Sequence, residues 1–155
     1  MNQKNTFSIA LNKAFIFKKK DHNERIYFAY GSNLNLKQMA SRAPTARPLG
    51  AAYLVGWKLV FRRVADIVPC DNLGLLPIGM WRLNSADEDA LDKYEGWPKT
   101  YRKVEINGMM TYQMNKGSFS EPSDRYFHTI LQGYADFGLD PELLYRAREQ
   151  KYYDC

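Results

Sequence analysis

The stretch RIYFAYGSNLN, Arg25 to Asn35, decides how the rest of the chain is read. Its first half, IYFAY (26–30), has the length and aromatic content of a buried strand, and Gly31 bounds it. Gly31, Ser32 and Asn33 follow in a row and lead into NLKQMASR (35–42). That segment is predicted as a short helix, capped by Asn35, with Gln38 at the capping-box position. Small polar residues after a strand most often make a turn and nothing more. A turn that runs directly into a helix also brings free N–H groups together, and such a cradle holds carboxylate or phosphate. Gly31 lets a ligand approach the main chain closely.

Outward from this point the elements follow in irregular order. APTARPLG (43–50) is a proline-rich connector. AAYLVGWKLVFRR (51–63) is predicted as one long strand, bent or bulged at Gly56. VADIVPCDNLG (64–74) reads as a strand end and loop. LLPIGMWRL (75–83) is a further strand that Pro77 assigns to an edge or to the strand's beginning. NSADEDALDKYEGWP (84–98) carries the clearest helix. Ser85 and Glu88 fit an S-x-x-E capping box, acids fill the first turn, Gly96 fits the C′ position and Pro98 blocks continuation. TYRKVEI and MMTYQM, joined by Asn107-Gly108, form a hairpin over 100–114. A loop (115–123) and two helices (124–138 and 140–151, the second capped by Asp140 with Pro141 at its first position) complete the chain. About five strands and three or four helices in this order exclude a doubly wound fold. The class is α+β, with a mixed or mostly antiparallel sheet that curls into a small barrel flanked by helices.

At 155 residues, with 45% hydrophobic and 14% aromatic residues, the chain suits one globular domain and not a disordered one. The net charge of +5 is unevenly held: residues 1–25 carry six basic residues against two acidic, the remainder sixteen against fifteen. The high pI therefore belongs to the arm. The body lacks the basic excess that binding many phosphates requires, so neither nucleic acid nor membrane is expected as its partner. We divide the chain into a basic arm (1–24), open to disorder, and one domain (25–155). No apolar run approaches the roughly 18 residues that span a bilayer. The arm lacks the order of a signal peptide, since Lys18-Lys19-Lys20 follows its most apolar part. With Cys70 and Cys155 as the only cysteines, a disulfide-dense secreted scaffold is excluded and a cytoplasmic location is the default.

The usual catalytic constellations are missing. There are two histidines, His22 in the arm and His128 in a predicted helix, and His128 reads as an ordinary helix residue. No cysteine–histidine cluster has zinc spacing, and no phosphate-loop motif occurs. Carboxylates remain as acid–base groups, and Glu95 stands out. It ends the capped helix, one step (i+4) beyond Leu91, beside Tyr94, Trp97 and Tyr101. Partial desolvation there, and the negative end of the helix dipole, both raise a carboxyl pKa toward the range of a general base. A surface glutamate that merely ends a helix fits the same residues.

Taken in order, YFAYGSNLN, GWKLVFRRVADIVP, ALDKYEGWPKTYRKVEI and PSDRYFHTILQGYADFGLD resemble the γ-glutamylcyclotransferase-like (AIG2-like) family across roughly residues 26–145. The resemblance implies a small mixed β-barrel with flanking helices. It also implies a reaction in which a γ-glutamyl amide is cleaved by its own α-amine to 5-oxoproline and a free amine or amino acid, with no metal and no cofactor. Carried onto this sequence, Tyr30, Gly31, Ser32, Asn33 and Leu34 would hold the γ-glutamyl group through main-chain N–H groups. Glu95 would be the catalytic acid/base, and Tyr126 would line the pocket. Two other functions fit the sequence: a non-catalytic module that binds a small carboxylate in the same cavity, and docking by the basic arm.

Overall fold

The computed structural model describes residues 9–11, 23–71 and 74–149. The Lys18-Lys19-Lys20 cluster, His22, Cys155 and residues 150–151 of the last predicted helix lie outside them. Among the described residues eight strands and four α-helices run in the order β1 (Ile9–Leu11), β2 (Arg25–Ala29), α1 (Leu36–Arg42), β3 (Arg47–Val55), β4 (Trp57–Arg62), β5 (Val64–Pro69), β6 (Leu75–Leu83), α2 (Ser85–Glu95), β7 (Tyr101–Ile106), β8 (Met109–Met114), α3 (Asp124–Phe137) and α4 (Pro141–Glu149). A single 3-10 turn, Ser32–Leu34, joins β2 to α1.

Six strands form one mixed sheet in the order β1-β3-β6-β2-β8-β7, while β4 and β5 make a separate ribbon. Within the arm, β1 lies parallel to β3. The α+β class and the mixed sheet agree with expectation; the closed barrel does not. Among the described residues β1 and β7 are the two edges of the sheet and do not pair with each other. Side chains join the ribbon to the sheet where a barrel would use a backbone ladder. Asp66 accepts from the Met114 N–H at 2.9 Å, and Gln113 Nε2 donates to the Ile67 carbonyl at 3.0 Å.

Three further expectations change. Residues 51–63 are two strands in different sheets, separated by Gly56 at φ +89, and β3 begins inside the expected connector. The segment 64–74 holds a full strand, β5, which reverses on β4 at Arg63 (φ +65). Glu88 does not close a box with Ser85; the cap lies one residue earlier. Asn84 accepts from the Asp87 N–H at 2.8 Å, and Asp87 accepts from the Asn84 N–H at 3.2 Å. Glu88 instead meets Lys103 at 2.8 Å.

Pro77 sits in β6, an interior strand, yet the edge reading holds locally. β2 ends at the Ala29–Gly79 pair, so toward β2 the β6 backbone beyond Gly79 has no ladder to lose. The hairpin turns at Asn107 and Gly108, both at positive φ, as its sequence predicts. Phe28, Leu54, Ile67, Ile78, Leu83 and Leu91 are fully buried, so one core lies under both sheets. α3 contributes Phe127, Ile130, Gly133 and Tyr134 to it, spaced along one helical face.

Candidate functional site

The strand β2 stops at Ala29 because the next residues fold inward. The Leu34 N–H donates to the Gly31 carbonyl and the Asn35 N–H to that of Ser32, closing the 3-10 turn. Asn35 then caps α1, its side chain accepting from the Gln38 N–H at 3.0 Å, as expected. Gln38 does not complete a capping box; its side chain accepts from Arg42. The turn is tied to α3 through Asn35 Nδ2 on the Thr129 carbonyl and the Leu36 N–H on Asp136.

Leu34 is fully buried beneath the turn. It is seated by two glycines: a Cβ on Gly133 would lie 2.6 Å from Leu34 Cβ, and one on Gly79 would lie 2.7 Å from Leu34 Cδ2. Its N–H is already spent, so it anchors the turn and does not line the cleft. The first N–H groups of the turn, on Ser32 and Asn33, have no partner within it.

Above the turn opens a cleft of about 360 Å³ whose walls include Tyr30, Gly31, Ser32, Asn33, Glu95 and Tyr126. That volume suits a small molecule. Gly31 is needed for a close approach of protein to protein: a Cβ there would stand 3.0 Å from Ala65 Cβ and 3.3 Å from the Tyr126 hydroxyl. Tyr126 accepts from the Ala65 N–H at 3.0 Å, while Tyr101 donates to the Ala65 carbonyl at 3.3 Å. Two phenols thus hold the Ala65 peptide against the turn. Burial pushes the Tyr126 hydroxyl up to about 12.

Glu95 is the last residue of α2, and Gly96 takes the left-handed conformation (φ +67) that ends the helix beside it. Asn33 Nδ2 donates to Glu95 Oε1 at 3.1 Å and to the Tyr27 hydroxyl at 2.9 Å. Glu95 is half-buried. Desolvation dominates its titration and pushes its pKa up to about 7, against the opposing effects of the Arg42 charge and the Asn33 hydrogen bond. The carboxyl therefore exchanges a proton near neutrality, as a general acid/base must.

Sequence reasoning placed the turn, Glu95 and Tyr126 on one cleft and set Tyr101 beside Glu95, but missed Arg42, Tyr27 and Ala65. Ala65 was hidden by reading β5 as a loop. Arg42 had a weak signal, its i+4 spacing from Gln38 on α1. Among the described residues no group of three His, Cys, Asp or Glu side chains is arranged to hold a metal.

No family model and no curated protein matches the chain. Solved structures do. A γ-glutamyl cyclotransferase is 24% identical at a TM-score of 0.72, over 85% of this chain and 90% of its own. An uncharacterised protein from Homo sapiens is 24% identical at 0.73, over 86% and 94%. YkqA from Bacillus subtilis is 24% identical at 0.67, over 83% and 54%. The chain has the fold that these proteins share, the γ-glutamylcyclotransferase-like fold.

Proposed function

We propose that the protein is a γ-glutamylcyclotransferase, releasing 5-oxoproline and a free amine or amino acid from a γ-glutamyl amide. The observation that carries this reading is Glu95, a half-buried carboxyl poised near neutrality on the wall of a small-molecule cleft. The substrate's α-amine is an ammonium at neutral pH and cannot attack while protonated. Glu95 takes its proton. The amine nitrogen then bonds to the γ-carbonyl carbon, and the carbonyl electrons move onto oxygen. As the tetrahedral species collapses, Glu95 returns the proton to the leaving nitrogen, whose bond to carbon breaks, and the surplus proton of the ring nitrogen passes through the freed carboxylate to the released amine, which departs as an ammonium ion. Nothing is oxidised or reduced, and no water is consumed. Because nucleophile and electrophile share one molecule, the substrate itself supplies most of the proximity.

The N–H groups of the 31–33 turn hold the γ-glutamyl group. Tyr126 already accepts from Ala65, so its own proton is available to a developing oxyanion. Ser32 Oγ accepts from Arg42 at 2.9 Å, and among the described residues no base is hydrogen-bonded to it, which fits a mechanism without a serine nucleophile.

The test is incubation with a panel of γ-glutamyl amines and γ-glutamyl amino acids, with 5-oxoproline read by mass spectrometry. Product is expected from at least one member; none from any would leave a small-carboxylate-binding module as the better reading. Glu95→Gln should lose activity by at least about 100-fold while keeping its circular dichroism. Ser32→Ala should be much milder. The reverse order would point to a covalent mechanism.

A further inference from the structure

We infer that Arg42 is a positioning residue, locking the Asn33 side-chain amide so that Glu95 always meets its N–H face. This rests on Glu95 being the general base proposed above.

The argument begins with what each group can do. A guanidinium donates and has no acceptor, whereas an amide has one face of each kind. Arg42 NH1 donates to Asn33 Oδ1 at 2.7 Å, so the amide oxygen is claimed from the α1 side. The Nδ2 face must then turn the other way, where its two protons meet Tyr27 and Glu95. With Arg42 absent, the amide could rotate by half a turn and set its oxygen against the carboxylate. That arrangement is repulsive unless Glu95 is protonated, the form unable to accept a proton.

Arg42 is itself held firmly. NH1 also donates to Ser32 Oγ at 2.9 Å, and NH2 donates to Gln38 Oε1 at 2.8 Å. Its guanidinium lies 3.9 Å above the centre of the Tyr94 ring. Four neighbours, from the turn, from α1 and from α2, thus fix one side chain. Lysine could supply the charge but not this planar fork.

The groups facing Glu95 allow the effect to be read cleanly. Arg42 is the charged neighbour that shapes its titration. The phenols of Tyr27, Tyr30, Tyr101, Tyr112 and Tyr126, from β2, the turn, β7, β8 and α3, also feel its charge. All are raised by burial, so none titrates in the same range.

The test uses the full chain with carbon-13-labelled glutamate and nitrogen-15-labelled asparagine, followed by NMR across pH 5 to 9. In the wild type, one Asn33 Nδ2 proton should move downfield with the same midpoint as the Glu95 carboxyl; no movement would overturn the proposal. In Arg42→Met the Glu95 ionisation constant should fall about tenfold, the usual size for losing an adjacent opposite charge. Arg42→Lys should fall between the two. A midpoint unchanged in Arg42→Met would overturn the proposal, and so would Arg42→Lys matching the wild type in both signals, since charge alone would then suffice. In parallel, the acidic limb of kcat/KM on a γ-glutamyl substrate should move with the Glu95 midpoint. If no γ-glutamyl compound is turned over yet both NMR signals respond as expected, the cyclotransferase reading fails and the role of Arg42 toward Glu95 stands.

Discussion

A carboxyl that titrates near 7 in the folded chain, against an ordinary 4.5, carries a cost in stability as well as a use in chemistry. The sign follows from the direction. Folding favours the protonated form, so this residue's contribution to stability is fullest below about 4.5 and is lost as pH rises through about 7. Glu95→Gln has no such proton to lose. It should therefore unfold at higher denaturant than wild type at pH 8, by about 2 kcal/mol, and match wild type at pH 4. Urea titration at the two pH values checks this; a Glu95→Gln protein that is less stable at pH 8 would show that desolvation does not dominate at this residue. Glu95 was legible in the sequence because a capping pattern, a Gly stop and flanking aromatics locate it without tertiary knowledge. Arg42 was not. Its contact with Asn33 depends on how the 3-10 turn sets the phase of α1, and nothing in the residues 30–42 states that phase.

At the scale of elements, the cleft depends on how tightly α3 lies against the turn. The spacing at Gly133 leaves no slack: a Cβ there would stand 2.7 Å from both Asn35 N and the Leu34 carbonyl carbon, as well as 2.6 Å from Leu34 Cβ. Backbone cannot rotate away as a side chain can. Gly133→Ala should therefore lower stability by about 2 kcal/mol, the usual scale for overpacking. It should also reduce turnover beyond what unfolding explains, since the turn carries Gly31 to Asn33. Thermal unfolding checks this, and a Gly133→Ala protein as stable as the wild type would show that α3 can shift away from the turn. Elements with their own punctuation were readable: the Asn107-Gly108 hairpin, and α3 between Ser123 and Gly138. The β4–β5 ribbon was not, because Arg63 reverses the chain at positive φ without a Gly, Asn or Pro to announce it.

For the molecule as a whole, the open sheet gives the cleft its position. Residues from β2, β5, β7, β8, α2 and α3 meet where ribbon and sheet face each other without a shared ladder, and Ala65 sits at that seam. A closed barrel was expected from the strand content. Its absence could not be read, because closure here turns on side chains far apart in sequence. Asp66 is the principal one. It is 2% exposed, bonds to Arg62 Nε at 2.9 Å and accepts from the Met114 N–H, so one carboxylate serves both sides of the seam. Gln113 adds a second tie and Arg62 reaches on to the Gly117 carbonyl, holding the loop that precedes α3. Asp66→Ala leaves the Arg62 charge and the Met114 N–H unpaired together. A loss of about 3 kcal/mol is expected, because breaking one partner of a buried pair costs more than the pair contributes. The loss should be localised. Amide exchange should accelerate at Met114 and along Val64–Pro69 well before β2 and β6, whose ladders do not cross the seam. Uniform acceleration would mean that ribbon and sheet open as one unit. Localised acceleration would show that the cleft lies along the least cooperative line of the fold, where a small substrate can enter without unfolding either sheet.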